Sequence, residues 1–143
     1  MTDQNSEKIT AVIPTYNEAS NLPQLVSQLF GLNLPNFSVL IIDDNSPDNT
    51  AKVAEKLSPQ FGGNIETIVR PEKAGLGTAY KDGFKHAVEN GSKYIIQLDA
   101  DLSHPIPEIP TMLDKLKDSD VVVGSRYADS FWNFGPHANW PLH

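Results

Sequence analysis

Cysteine is absent from this chain of 143 residues, which excludes disulfides and fits a reducing compartment. Positive charge is scarce, since 11 Lys and Arg stand against 18 Asp and Glu and leave a formal net charge of −7. That balance, with no long Lys/Arg run to offset it locally, argues against nucleic acid as a partner. No stretch approaches the roughly 18 apolar residues of a membrane-spanning helix. Met1 to Lys8 is polar and lacks the apolar core of a secretory signal. A cytoplasmic, soluble chain is the expectation. Two glycine signatures are missing as well. No GxGxxG follows the first apolar segment and no GxxxxGK[ST] occurs anywhere, so neither the dinucleotide fingerprint nor the NTPase phosphate loop is present. The GLG at Gly75 to Gly77 is too short for either. Internal repeats and low-complexity tracts are also lacking, and the length suits one domain with a real core.

What is present is a regular alternation of strand and helix signals, the mark of a parallel sheet with helical crossovers. Ile9 to Pro14 reads as the first strand, and Leu22, Leu25, Val26, Leu29 and Phe30 as one apolar helical face, with Ser20 as candidate N-cap. Phe37 to Ile42 is nearly continuous in apolar residues and is expected at the centre of the sheet. A helix from Pro47-Asp48 to Leu57 and a short strand from Asn64 to Val69 follow. RPEKAGLGTA then leads into a helix over 78–90 with Ala79, Phe84, Ala87 and Val88 facing inward. Tyr94 to Leu98 reads as a buried fourth strand, Pro105 to Lys117 as a helix and Val121 to Val123 as a fifth strand.

Four polar clusters each follow a strand: TYNE, DDNS, DADLSH and GSR. In a parallel sheet these four lie along one edge, where open α/β sheets bind their ligands. Asp99 and Asp101 are the pair with the most pointed chemistry. Alternate residues of an extended segment point the same way, so both carboxylates could hold one hard divalent cation with positions left for water or phosphate. The plainer alternative is two acids solubilising a strand exit. Carboxylates gathered on the edge, in place of a glycine cradle, suit a phosphorylated ligand carried through a metal.

The motifs IPTYNE at 13–18, IIDDNSPDNT at 41–50, GLGTAYKDGF at 75–84, DADLSHP at 99–105, VVGSRY at 122–127 and NWPLH at 139–143 resemble the inverting family 2 glycosyltransferases. Within that family the resemblance is to the polyprenol (dolichol) monophosphate mannose synthases. It implies a GT-A fold, Rossmann-like, with a mostly parallel sheet and helices on both faces. It also implies GDP-mannose as donor, Mg²⁺ or Mn²⁺ as cofactor, and a polyprenyl or dolichyl phosphate acceptor. By motif, Pro14, Tyr16 and Glu18 would line the nucleoside pocket and Asp44 would reach the base. Asp99, Ala100, Asp101 and Ser103 would form the diphosphate site, with Asp99, Asp101 and Ser103 as metal ligands. Asp101 and Arg126 would be the catalytic residues, Arg126 meeting a phosphate of donor or acceptor with its planar fork.

The resemblance further implies that residues 1–143 are one GT-A domain whose acceptor side and membrane-facing part lie beyond NWPLH, with peripheral attachment at the cytoplasmic membrane face. An acceptor phosphate is already anionic near neutral pH, so no general base is assigned; His104 and Asp43 are read as loop braces and His86 as a surface residue. Two other readings stay open: a family 2 transferase with another donor such as UDP-glucose, and a nucleotide-binding module without turnover.

Overall fold

The computed structural model describes residues 6–125. The chain divides into two compact units, Met1–Pro107 and Glu108–His143.

In the first unit four parallel strands form one sheet: β1 (Ile9–Thr15), β2 (Phe37–Asp43), β3 (Ile65–Val69) and β4 (Tyr94–Gln97), in the spatial order β3-β2-β1-β4. The helices α1 (Leu22–Gly31), α2 (Thr50–Leu57) and α3 (Leu76–Glu89) make the crossovers. β1 and β2 are central and almost wholly buried, as continuous runs of Val, Ile and Leu require when both faces are covered. β4, expected to be buried, is an edge strand and only half-buried. An edge position leaves one side of its ladder unpaired among the described residues.

Register assigns the two faces. Val12 stands beside Leu40, and Ile42 lies two residues further along the same face. Against them α3 packs Ala79, Tyr80 and Ala87, with Phe84, Ile68 and Ile95 at the margin. Gly83 lets this helix approach closely, because a Cβ there would stand 2.3 Å from Val12 Cγ1 and 3.2 Å from Ile42 Cγ1. The expected inner face of α3 was therefore partly misplaced: Tyr80 and Gly83 are buried, while Val88 is exposed. Nine residues past Ala79, at about 100° per residue, Val88 falls on the opposite side of the helix. On the other sheet face α1 buries Leu22, Leu25, Val26 and Leu29, as their spacing predicts, and Phe30 meets Phe37 edge-on at 5.2 Å. α2 packs beside α1 and against β2 and β3. Helices thus cover both faces.

Two helix starts differ from expectation. α1 begins after Asn21 rather than Ser20, its entry held by Glu18 O, which accepts from the backbone N–H of Asn21 and Leu22. α2 begins at Thr50, because Asp48 and Asn49 are occupied in the preceding turn: Asp48 Oδ1 accepts from Thr50 N and Oγ1, and Asn49 is left-handed with φ 65°.

The strand order positions the site. The chain steps from β1 to β2 to β3 in one direction, then α3 carries it back to place β4 on the other side of β1. The carboxyl ends of β1 and β4 flank the point where this direction reverses, the crevice in which open α/β sheets bind ligands.

The second unit contains α4 (Ile109–Lys115), followed by a 3₁₀ turn at Leu116–Asp118. Val121 to Val123, expected as a strand, forms none, and Val121 and Val123 are 75% and 78% exposed. Three β-branched residues give propensity, but a strand needs a ladder partner, and none pairs with them among the described residues.

Candidate functional site

The loop after β1 is fastened to the loop after β2. The backbone N–H of Asn17 donates to Ser46 Oγ (3.0 Å), that of Glu18 to Thr50 Oγ1 (3.0 Å) and that of Ala19 to Asp48 Oδ2 (3.1 Å). Asn17, Asn45 and Asn49 take left-handed backbone at φ 57°, 55° and 65°, which asparagine tolerates better than most residues. Beneath them Asp43 is buried and accepts from Thr15 Oγ1 (2.7 Å), Ser46 Oγ (2.6 Å) and Ser46 N (2.9 Å). Asp43 braces the loop, as expected.

Asp44, expected to reach a nucleobase, is buried against Arg70. Arg70 Nε donates to Asp44 Oδ1 at 2.6 Å and its Nη2 to Oδ2 at 2.9 Å, a two-point pair. The same guanidinium reaches Thr78 Oγ1 (2.9 Å), Asp82 Oδ2 (3.2 Å) and the carbonyl of Gly75 (3.2 Å). The Asp44 bond, opposed by burial and helped by Asp82, raises the Arg70 pKa above its ordinary value. Arg70 therefore locks the start of α3 to the end of β2. Both Asp44 oxygens already accept, though each keeps a second lone pair. The sequence offered little sign of Arg70 beyond its place at the end of β3.

Asp99 and Asp101 sit in the turn after β4. The strand ends at Gln97, so strand alternation does not align the two carboxylates; each is set by its own partner. The Tyr80 hydroxyl, from α3, donates to Asp99 Oδ1 at 2.5 Å. Burial first, and then this bond to Asp99, raise the Tyr80 pKa, so the phenol stays neutral and remains a donor. His104 Nδ1 accepts from Asp99 N at 3.4 Å while its Nε2 stands 3.6 Å from Asp99 Oδ2, consistent with a bracing role. Asp101 Oδ1 accepts from Ser103 Oγ (2.5 Å) and Ser103 N (3.0 Å) across Leu102, which is left-handed at φ 64°. The Ser103 hydroxyl, opposed by burial and joined by the Ser103 N–H and His104, holds Asp101 below the usual carboxylate range. Asp101 is thus an ionised, exposed oxygen donor. Ser103, expected as a metal ligand, directs its hydroxyl at Asp101.

Among the described residues no group of three or more His, Asp or Glu side chains gathers at one point. A cation here would rest on the Asp99 and Asp101 carboxylates. Carboxylate oxygens are the donor type that Mg²⁺ and Mn²⁺ take, with waters and substrate phosphates as further ligands.

The remaining expected residues divide. Pro14 is half-buried at the end of β1 and Ala100 is buried beside the carboxylates. Glu18 Oε2 accepts from Asn21 Nδ2 (2.8 Å), so its side chain stays with its own loop. Tyr16 is 40% exposed, and Lys73 Nζ lies 4.3 Å from its ring centroid, a contact worth about 0.5–1 kcal/mol at an exposed site. Lys73 and Tyr80 were not singled out from the sequence. His86, read as a surface residue, pairs with Glu66 at 2.8 Å between α3 and β3. Arg126 and the segment 127–143, with Trp132, Trp140 and NWPLH, lie outside the described residues.

The chain is 37% identical over 138 residues to the dolichol-phosphate mannosyltransferase of Pyrococcus furiosus, covering 95% of this chain and 37% of that protein. It is 35% identical over 137 residues to the polyprenol monophosphomannose synthase of Mycolicibacterium smegmatis (95% and 50%). It is 34% identical over 134 residues to the undecaprenyl-phosphate mannosyltransferase of Micrococcus luteus (94% and 53%). The chain spans about half the length of these relatives, or less. Among solved structures, the mannosyltransferase PcManGT of Pyrobaculum calidifontis, in complex with GDP-Man and Mn²⁺, superposes with a TM-score of 0.70 at 21% identity, covering 85% of this chain and 36% of that one. TarS of S. aureus in complex with UDP-GlcNAc gives 0.64 at 21% identity, covering 78% and 31%. At such identities the likeness speaks for the fold, which is GT-A, a Rossmann-like parallel sheet. The profile described as "Glycosyl transferase family 2" matches residues 10–139, nearly the whole sequence, and the chain belongs to that family.

Proposed function

We propose that this chain is the donor-binding part of a mannosyltransferase that transfers mannose, with inversion, from GDP-mannose to a polyprenyl or dolichyl phosphate. The observation that carries the reading is the pair Asp99 and Asp101 beside the β1 end, each fixed by a separate donor, in a chain 34–37% identical to three lipid-phosphate mannosyltransferases. In this reading residues 1–143 belong to a single GT-A domain whose acceptor side is completed elsewhere, and the protein works at a membrane surface.

The roles are carried by the motifs and fitted to the geometry. Tyr16, Pro14 and Glu18 border the nucleoside, with Asp44 on its base through the lone pairs that Arg70 leaves. Asp99 and Asp101 are the oxygen donors of a Mg²⁺ or Mn²⁺ site, which when filled offsets the charge on the departing diphosphate. Ser103 orients Asp101, and Ala100 shapes the floor between the two acids. Arg126 is assigned by its motif to a phosphate of donor or acceptor. The acceptor phosphate attacks the anomeric carbon from the face opposite the leaving group, and as a dianion near neutral pH it needs no strong base.

Calorimetric titration of GDP, GDP-mannose and UDP-glucose, with and without Mn²⁺, followed by transfer assays on a polyprenyl phosphate, tests this. GDP and GDP-mannose are expected to bind at least tenfold more tightly than UDP-glucose, in a metal-dependent way, and a lipid-linked mannose is expected as product. Tighter UDP-glucose binding would make this a family member with another donor. GDP binding without transfer under any divalent metal and saturating acceptor would leave a nucleotide-binding module.

A further inference from the structure

We infer that Lys73 binds a phosphate of the nucleotide, and that it leaves the face of Tyr16 to do so, opening that face to the base. The inference rests on the nucleotide reading above and adds to it a residue and an exchange.

Four observations lead there. Lys73 lies in the exposed part of the loop from β3 to α3, whose two ends are held by Arg70 on Asp44 and by Arg70 on Gly75 and Thr78. Its ammonium rests on the Tyr16 ring, 4.3 Å from the centroid, and among the described residues it enters no ion pair. Among the described residues the other strong cation of this edge, Arg70, is fully engaged by Asp44, Asp82, Gly75 and Thr78. Finally, beside the paired Asp44 and Arg70, Glu18, Asp48, Asp99 and Asp101 all belong to the same edge loops, so a diphosphate meets a field of its own sign.

These facts make Lys73 a cation in reserve. A cation–π contact at an exposed ring is weaker than a charge-assisted hydrogen bond to phosphate oxygen, and lysine's four-carbon stem lets the ammonium move between them. A planar base and an ammonium also exclude each other from one ring face. When the phosphate draws Lys73 away, Tyr16 is left free to stack, which aromatic rings do best in an offset arrangement. Binding of phosphate and binding of base are thereby coupled through one side chain.

The test compares GDP with guanosine, which has the base and no phosphate, on wild type and Lys73→Met in the presence of Mn²⁺. Lys73→Met is expected to weaken GDP about tenfold, equal to about 1.4 kcal/mol, while guanosine binds equally well or better. The salt dependence of GDP binding should become shallower in the same variant, and Lys73→Arg should recover most of the affinity. A third arm uses a short isoprenyl phosphate. Loss confined to that ligand would place Lys73 on the acceptor and overturn the inference. Equal losses for GDP and guanosine would reduce Lys73 to a prop for Tyr16, and unchanged GDP binding would remove it from the site. If wild type binds neither GDP nor guanosine, the nucleotide reading itself falls and this one with it.

Discussion

Tyr80 reaches Asp99 across nineteen positions of sequence, and that bond decides how the carboxylate is presented. With Oδ1 accepting from the phenol and Oδ2 3.6 Å from His104 Nε2, each Asp99 oxygen keeps a lone pair for a ligand. Hydrogen-bonded neighbours of a metal ligand commonly matter by tenfold or more in metal affinity. Tyr80→Phe keeps the buried ring and removes only the donor, so the fold should persist while Mn²⁺ affinity in the presence of GDP drops about tenfold; unchanged Mn²⁺ affinity would refute the positioning role. The DADLSH cluster itself was legible as a short string of oxygen donors. Its partner was not, because a tyrosine on an amphipathic helix reads equally well as core. Ser103 shows the converse limit: its position pointed to the site, but only coordinates show that its hydroxyl serves Asp101.

At the scale of elements, α3 carries most of the site's support, since it supplies Tyr80, Thr78 and Asp82 and lies on the sheet through Gly83. Gly83→Ala would place a methyl carbon 2.3 Å from Val12 Cγ1, and both neighbours are branched residues of central strands. The cost should be about 1–3 kcal/mol, read as a lower midpoint in thermal or urea unfolding, despite alanine's better helix propensity. A neutral or stabilising effect would mean that α3 does not sit this close. The existence and order of β1 to β4 and of α1 to α3 were readable from periodicity, because long apolar faces leave few alternatives. The inner face of α3 was read less well, since glycine carries no hydrophobic signal. Val121 to Val123 was misread because propensity says nothing about whether a neighbouring strand is available.

For the molecule as a whole, the order β3-β2-β1-β4 means that the edge loops come from strands far apart in sequence and need cross-ties. Arg70 is the strongest of these, since it joins the end of β2 to the start of α3. Arg70→Met would leave Asp44 buried without its counter-charge, and losses of about 3–5 kcal/mol are usual when one partner of such a pair is removed. Arg70→Met combined with Asp44→Asn should recover a large part of that loss in a double-mutant cycle. Simple addition of the two single effects would show that the pair does not act as a tie.

The fastening of the first loop to the second also settles which groups remain to greet an anion. The amides of Asn17, Glu18 and Ala19 are all committed to Ser46, Thr50 and Asp48 within the protein. The phosphate-binding loops of many nucleotide enzymes turn successive amides outward and so carry their own positive lining. Here that lining has been turned inward to hold the architecture together. In the reading proposed above, a polyanion is met by a metal ion on Asp99 and Asp101, by Lys73 as it leaves Tyr16 and by Arg126, so that much of the attraction is assembled only as the site fills.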